Sequence, residues 1–349
     1  MRNFVLAPTV CLLLSVSSGL LAQQFDQVVP LSGSTTSGVI TSETVTYVEI
    51  EVSGTKRRIP VNEIKRVTFG VDDPKDLKRG RDNIMTGNFE GGLDDLKKVD
   101  PASLNRMIVK QDLAFYRALA MARIALSRGG DKSTAKKAMM SFVVKAPTSY
   151  HFLEAAEVLG DLAVSQADYA GAARFYAAIG SKTPKTWTGY RMRGQLLEGR
   201  ALIAQEKFTD AQEKFDAVIA TSDDRAAATA AKKVAEVGKA VCMTEQGQHE
   251  PAIVILNRII AENSPDSKEL FGRAYNALGR SYLKAKKDKE AKLAYLHVDL
   301  LFYGNSEVHA EALYHLSKLW DGANQPDHAV AARNLLTTRY AGSPWAKLK

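Results

Sequence analysis

Two textures of apolar residues divide the chain. Between 27 and 69, Val39 and Ile40, then Val45, Tyr47, Val48, Ile50 and Val52, then Ile59, Val61, Ile64, Val67 and Phe69 follow a largely alternating, β-branched pattern. Alternation lets one face of a strand enter a core while the other meets water, so this stretch predicts about five short strands. Ser32-Gly33-Ser34, Ser42-Glu43 and Ser53-Gly54 are placed to turn the chain between them. From Leu77 the alternation stops and apolar residues fall at helical spacing, with alanine-rich stretches over 113–126 and 226–241. Alanine is the best helix former and allows helices to approach closely. Asp72-Asp73-Pro74 marks the change.

Within the helical part a small residue recurs. Gly92, Ala135, Ala172, Ala211, Ala252, Ala291 and Ala329 are separated by 43, 37, 39, 41, 39 and 38 residues. Gly160, Gly199, Ala240 and Gly279 each stand twelve residues before one of them, and Tyr176, Phe215, Leu256 and Tyr295 stand four residues after. Small facing large at fixed spacing closes a helical hairpin and stacks it on the next. Pro147, Pro265 and Pro344 lie where second helices should end, because proline lacks the donor and restricts the residue before it.

The unit containing Tyr275, Leu278, Gly279, Tyr282, Ala291 and Tyr295 resembles the tetratricopeptide repeat, a helix, a tight turn and a second helix. The resemblance implies a mainly α fold, an α-solenoid of antiparallel helix pairs with about six repeats after an N-terminal partial repeat. Repeat spacing exceeds the standard of about 34 residues and is close to that of HEAT-type repeats; the Gly-to-Ala spacing favours the tetratricopeptide form. The usual tryptophan is absent, and Arg123 and Ser317 stand where glycine is expected. The run Ile59-Pro60-Val61-Asn62-Glu63-Ile64 resembles the one-turn connection before the last strand of an SH3-like or Sm-like barrel. The expected organisation is a small all-β barrel over 23–70, a linker over 71–78 and the solenoid over 79–349.

The first 22 residues combine Arg2, an apolar run over 10–14, small residues Ser15, Ser17, Ser18 and Gly19, and Ala22. They read as a secretory signal peptide cut after Ala22, which predicts a secreted or periplasmic protein with no transmembrane helix after cleavage. Cys242 is then the single thiol, so the fold does not depend on disulfides, and a small buried residue is expected there. A net charge of +8 would suit nucleic acid, but export excludes that partner and leaves acidic proteins, an anionic membrane face or cell-envelope polymers. In the β part, Lys56, Arg57, Arg58, Lys65 and Arg66 are read as solubilising charges, with an acidic contact surface as the alternative.

No phosphate-binding glycine loop, zinc-protease helix or paired-cysteine site occurs, so no enzyme activity and no cofactor are expected. His151, His249, His297, His309, His315 and His328 lack helical ligand spacing and are expected at the surface or in the groove. The tetratricopeptide resemblance implies instead a concave groove lined by first helices. Positions matching its inner face hold Arg193 and Arg200, then Arg273, Asn276 and Arg280, then Tyr314 and Lys318, with Glu154, Glu157 and Asp161 upstream. Arginine's planar fork suits carboxylates, so a protein partner carrying an acidic or C-terminal segment is expected. The Lys and two Asn of the known carboxylate clamp are not reproduced. A peptidoglycan or polysaccharide-binding accessory role is the alternative, and the scattered Trp187, Trp320 and Trp345 disfavour it.

Overall fold

A computed structural model describes residues 25–348. The segment read as a signal peptide lies outside them. The alternating stretch forms five strands, β1 (Asp26–Pro30), β2 (Thr36–Glu43), β3 (Tyr47–Val52), β4 (Thr55–Pro60) and β5 (Ile64–Phe69). They make one antiparallel sheet in the order β4-β3-β2-β1-β5, with Asp26 opposite Phe69 where the first strand meets the last. The 3₁₀ turn Val61–Glu63 joins β4 to β5 as expected. No pairing joins these two strands among the described residues, so the ladder stays open between them. Ser42 and Glu43 lie within β2 instead of a turn; Thr44 turns the chain, its hydroxyl accepting from the Thr46 and Tyr47 amides.

Among the described residues fourteen α-helices follow as seven hairpins. They are α1 (Lys75–Met85) with α2 (Phe89–Lys97), α3 (Met107–Arg128) with α4 (Lys132–Lys145), α5 (Phe152–Ser165) with α6 (Tyr169–Ser181), and α7 (Thr188–Ile203) with α8 (Phe208–Ile219). The last three are α9 (Ala226–Glu245) with α10 (His249–Glu262), α11 (Lys268–Lys284) with α12 (Asp288–Leu301), and α13 (Ser306–Gly322) with α14 (Pro326–Arg339). Every recurring small residue sits near the start of a second helix and is buried. The glycines twelve positions earlier, on the first helices, are required on steric grounds. A Cβ on Gly199 would stand 2.8 Å from the Phe215 ring, and one on Gly279 would stand 2.7 Å from the Tyr295 ring.

Each hairpin turn also carries one residue in the left-handed region: Gly87, Gly129, Ala167, Glu206, Gly247, Lys286 and Asn324. The turn geometry is therefore fixed by the hairpin and imposed even on residues with a side chain.

The sheet shares a core with the first hairpins. Val28, Ile50, Val67 and Phe69 join Leu77, Leu96, Leu113 and Phe115 in one buried cluster. Arg106, just before α3, grips both oxygens of Asp26 at 2.8 Å and also donates to the Ile40 carbonyl at 2.9 Å. These bonds fasten β1 and β2 to the helical array.

At the other end, residues 340–348 return to α3, α4 and α5. The Lys132 ammonium donates to the Gly342 carbonyl, and Gly342 itself lies so close to the Leu126 carbonyl that no Cβ could be accommodated. Lys132 and Lys347 also reach the Ser165 carbonyl, at 3.4 and 3.5 Å, where the negative end of the α5 dipole receives them. Burial, reinforced by Lys347, pushes the Lys132 ammonium down to about 8. The segment that follows the last hairpin thus comes back against the second and third.

Candidate functional site

The first helices α5, α7, α11 and α13 face one another across the inside of this curve. Arg193 and Arg200 lie two turns apart on α7, and Arg273 and Arg280 are spaced in the same way on α11. Like charges gathered on one face would repel, so carboxylates have to stand among them. Arg193 donates through Nε to Glu157 at 2.6 Å. Arg280 bonds Glu311 at 3.0 Å and Glu245 at 3.4 Å. Arg273 pairs with Glu269 at 2.9 Å and with Glu307 at 3.4 Å, and Arg200 closes on the same Glu307 from the far side.

The structure thus brings together the arginines read from the sequence, already neutralised from within. Asn276 is 2% exposed and donates to the Val308 carbonyl at 2.8 Å, so it ties α11 to α13 and does not reach solvent. Tyr314 is half-buried, with its ring 5.5 Å from Trp345, and the Lys318 ammonium lies 5.8 Å from the Tyr314 ring. This pair lies next to the returning segment.

The acids of this face differ in character. Glu307 is partly desolvated although half of its side chain still meets water, and Arg200 and Arg273 outweigh that cost and hold the carboxyl down at about 2. On α5 burial lifts Asp161 to about 6, although the Tyr176 hydroxyl donates to it at 2.8 Å and Arg123 favours its charge. The paired arginines of α7 and α11 thus face an α5 on which Glu157 is ion-paired and Asp161 is held toward its neutral form.

Two histidines depart from expectation. His151 is buried, stacked on Phe115 at 3.8 Å and bonded to Asp112 at 3.0 Å; His309 is buried between Asp299 and Tyr340, each at 2.7 Å. Both are core residues with polar partners on separate hairpins. His315, against Tyr295 and Trp345, is pushed down to about 4 by burial. Among the described residues no group of three or more His, Cys, Asp or Glu is arranged to hold a metal ion. Sequence reasoning named Glu157 but not Glu245, Glu269, Glu307 and Glu311, the acids that decide the state of the arginines. Glu269 is one helical turn from Arg273 and could have been found that way; the others meet arginine only across helices of different repeats.

A tetratricopeptide repeat protein from Parabacteroides merdae ATCC 43184 is similar to this chain in structure, with a TM-score of 0.57 and 14% identity, over 76% of this chain and 92% of that one. The helical array has a tetratricopeptide-type fold. MamA AMB-1 is similar at a TM-score of 0.39 and 15% identity over 53% of this chain and 95% of that one. PilW, described as a widely conserved type IV pilus biogenesis factor, is similar at a TM-score of 0.42 and 16% identity, over 70% and 98%. No family model and no curated protein matches the sequence. Among the described residues no helix is long and apolar enough to cross a membrane.

Proposed function

We propose that this protein is an exported, non-catalytic scaffold that holds an acidic segment of a protein partner against its inner face. Under this reading the β module over 23–70, joined through 71–78, is an accessory to the solenoid over 79–349. Stacked helix pairs present an extended concave surface, which suits recognition of a chain segment better than chemistry on a small substrate. The observation that carries the reading is the gathering of Arg200, Arg273 and Arg280 from two helices on one wall, where water still reaches them. Arg193 extends the same stripe, and Tyr314 with Lys318 offers a neighbouring contact.

The test is capture from envelope extract by the mature chain beside a variant with Arg193, Arg200, Arg273 and Arg280 all changed to Glu. Circular dichroism confirms that the variant keeps its helices. A partner retained by the wild type and lost by the variant supports the inner face. Equal capture by both overturns it and directs attention to Lys56, Arg57 and Arg58 on β4.

A further inference from the structure

Ion pairs between helices of this array follow a rule: they stay within one hairpin, as Lys214 with Glu198 and Arg333 with Asp321, or they join neighbouring repeats. Arg193 with Glu157, Arg280 with Glu245 and Glu311, Lys136 with Asp168, and Lys287 with Glu250 each join helices of neighbouring repeats. Arg200 and Glu307 break it. They are 107 residues apart, on α7 and α13, with two first helices between them in sequence. Stacking does not require this contact, because α7 packs on α6, α8 and α9 while α13 packs on α11, α12 and α14.

Glu307 is also poorly placed to be a structural strut. It lies in the first turn of α13, beside the Asn305 cap, and its side chain is 50% exposed while that of Arg200 is 28% exposed. A carboxylate reached by water and held by two guanidinium groups from different helices is what a bound acidic side chain would look like.

We infer that Arg200 and Arg273 form a carboxylate-binding site for an acidic side chain of a partner segment, and that Glu307 occupies it as an internal stand-in until displaced. The inference rests on the proposed reading of the inner face and adds its regulation. A partner competes with Glu307 for the same two arginines, so affinity is held down by the free energy of the internal pair. Glu311, one turn further on α13, keeps Arg280 in a neighbouring-repeat pair and is not displaced.

The probe is a fluorescein-labelled octaglutamate with an amidated C-terminus, followed by anisotropy at low ionic strength. Glu307→Gln is expected to bind it about fivefold more tightly than wild type, the gain from releasing one partly exposed pair. Because the chain carries a net charge of +8, a diffuse attraction is separated out by the Glu307→Gln, Arg200→Gln double variant, which is expected to lose the gain. If wild type binds and Glu307→Gln binds no better, the stand-in is overturned and the acidic-partner reading survives. If neither binds, both are overturned. A glycine-serine peptide with a free C-terminus that binds where octaglutamate does not would reassign the site to a terminal carboxylate and overturn the side-chain assignment. Circular dichroism on each variant confirms its fold.

Discussion

Arg81 on α1 and Asp112 on α3 meet at 2.9 Å with each side chain about 1% exposed. The pair is the centre of a buried polar cluster. Arg81 also bonds Asp73, and the other Asp112 oxygen accepts from the Tyr150 hydroxyl at 3.1 Å and pairs with His151 at 3.0 Å. Burial works against the charge on Asp112, yet Arg81 and His151 keep its carboxyl below the usual range. This cluster lies where the end of β5, α1, α3 and the start of α5 converge, so it fixes how the sheet meets the helices.

Removing one partner leaves the other charged and unsatisfied in a dry site. Asp112→Ala is therefore expected to destabilise the fold by about 3–5 kcal/mol, read as a lower midpoint in urea unfolding. A loss under about 1 kcal/mol would mean that water reaches Arg81 and that the site is not dry.

The hairpin closure gives a second expectation. Gly279→Ala places a methyl group against the Tyr295 ring and is expected to cost about 1–3 kcal/mol despite alanine's better helix propensity. Combining it with Tyr295→Leu should recover part of that loss in thermal melts, because the smaller side chain makes room. Strict additivity of the two changes would contradict direct packing.

The repeat geometry was legible in the sequence because it is local. Glycine and its large partner are sixteen residues apart in Gly160 and Tyr176, Gly199 and Phe215, and Gly279 and Tyr295, a distance set by one hairpin alone. The 3₁₀ turn at Val61–Glu63 was visible for the same reason. Arg200 against Glu307 was not. Its formation depends on curvature accumulated over three repeats, and small rotations at each interface add up to a position that no spacing rule contains. Asn276, expected on the inner face, bonds the Val308 carbonyl, because a position on the inner stripe can also turn toward the next helix.

Asp161 offers a pH-dependent test. An aspartic acid ordinarily titrates near 3.8, and burial raises this one to about 6. The folded state holds the proton more tightly than the unfolded chain, so the group's contribution is full below pH 3.8 and is lost as pH rises through about 6. Asp161→Asn keeps an acceptor for Tyr176 and removes the charge. Its melting temperature is expected to exceed that of wild type by a few degrees near neutral pH, with the gap closing at about pH 4. An unchanged gap across this range would assign the effect to packing.

Cys242 is fully buried on α9, and desolvation pushes its thiol up to about 12. Thiolate is the reactive form, so labelling by a thiol reagent is expected only as the chain unfolds. Rapid labelling of the native protein would show that α9 opens locally.

The return of residues 340–348 to α3, α4 and α5 changes the thermodynamic character of the array. In an open stack each repeat touches only its neighbours, stability is a sum of local terms, and melting proceeds inward from a frayed end. Here the contacts of Lys132 with Gly342 and of Lys347 with Ser165 span 210 and 182 residues. Fraying of the last hairpin then removes support from the second and third, so melting should be shared by the whole array. The same contacts raise the mean sequence separation of native pairs, which slows folding in a protein otherwise built from local contacts.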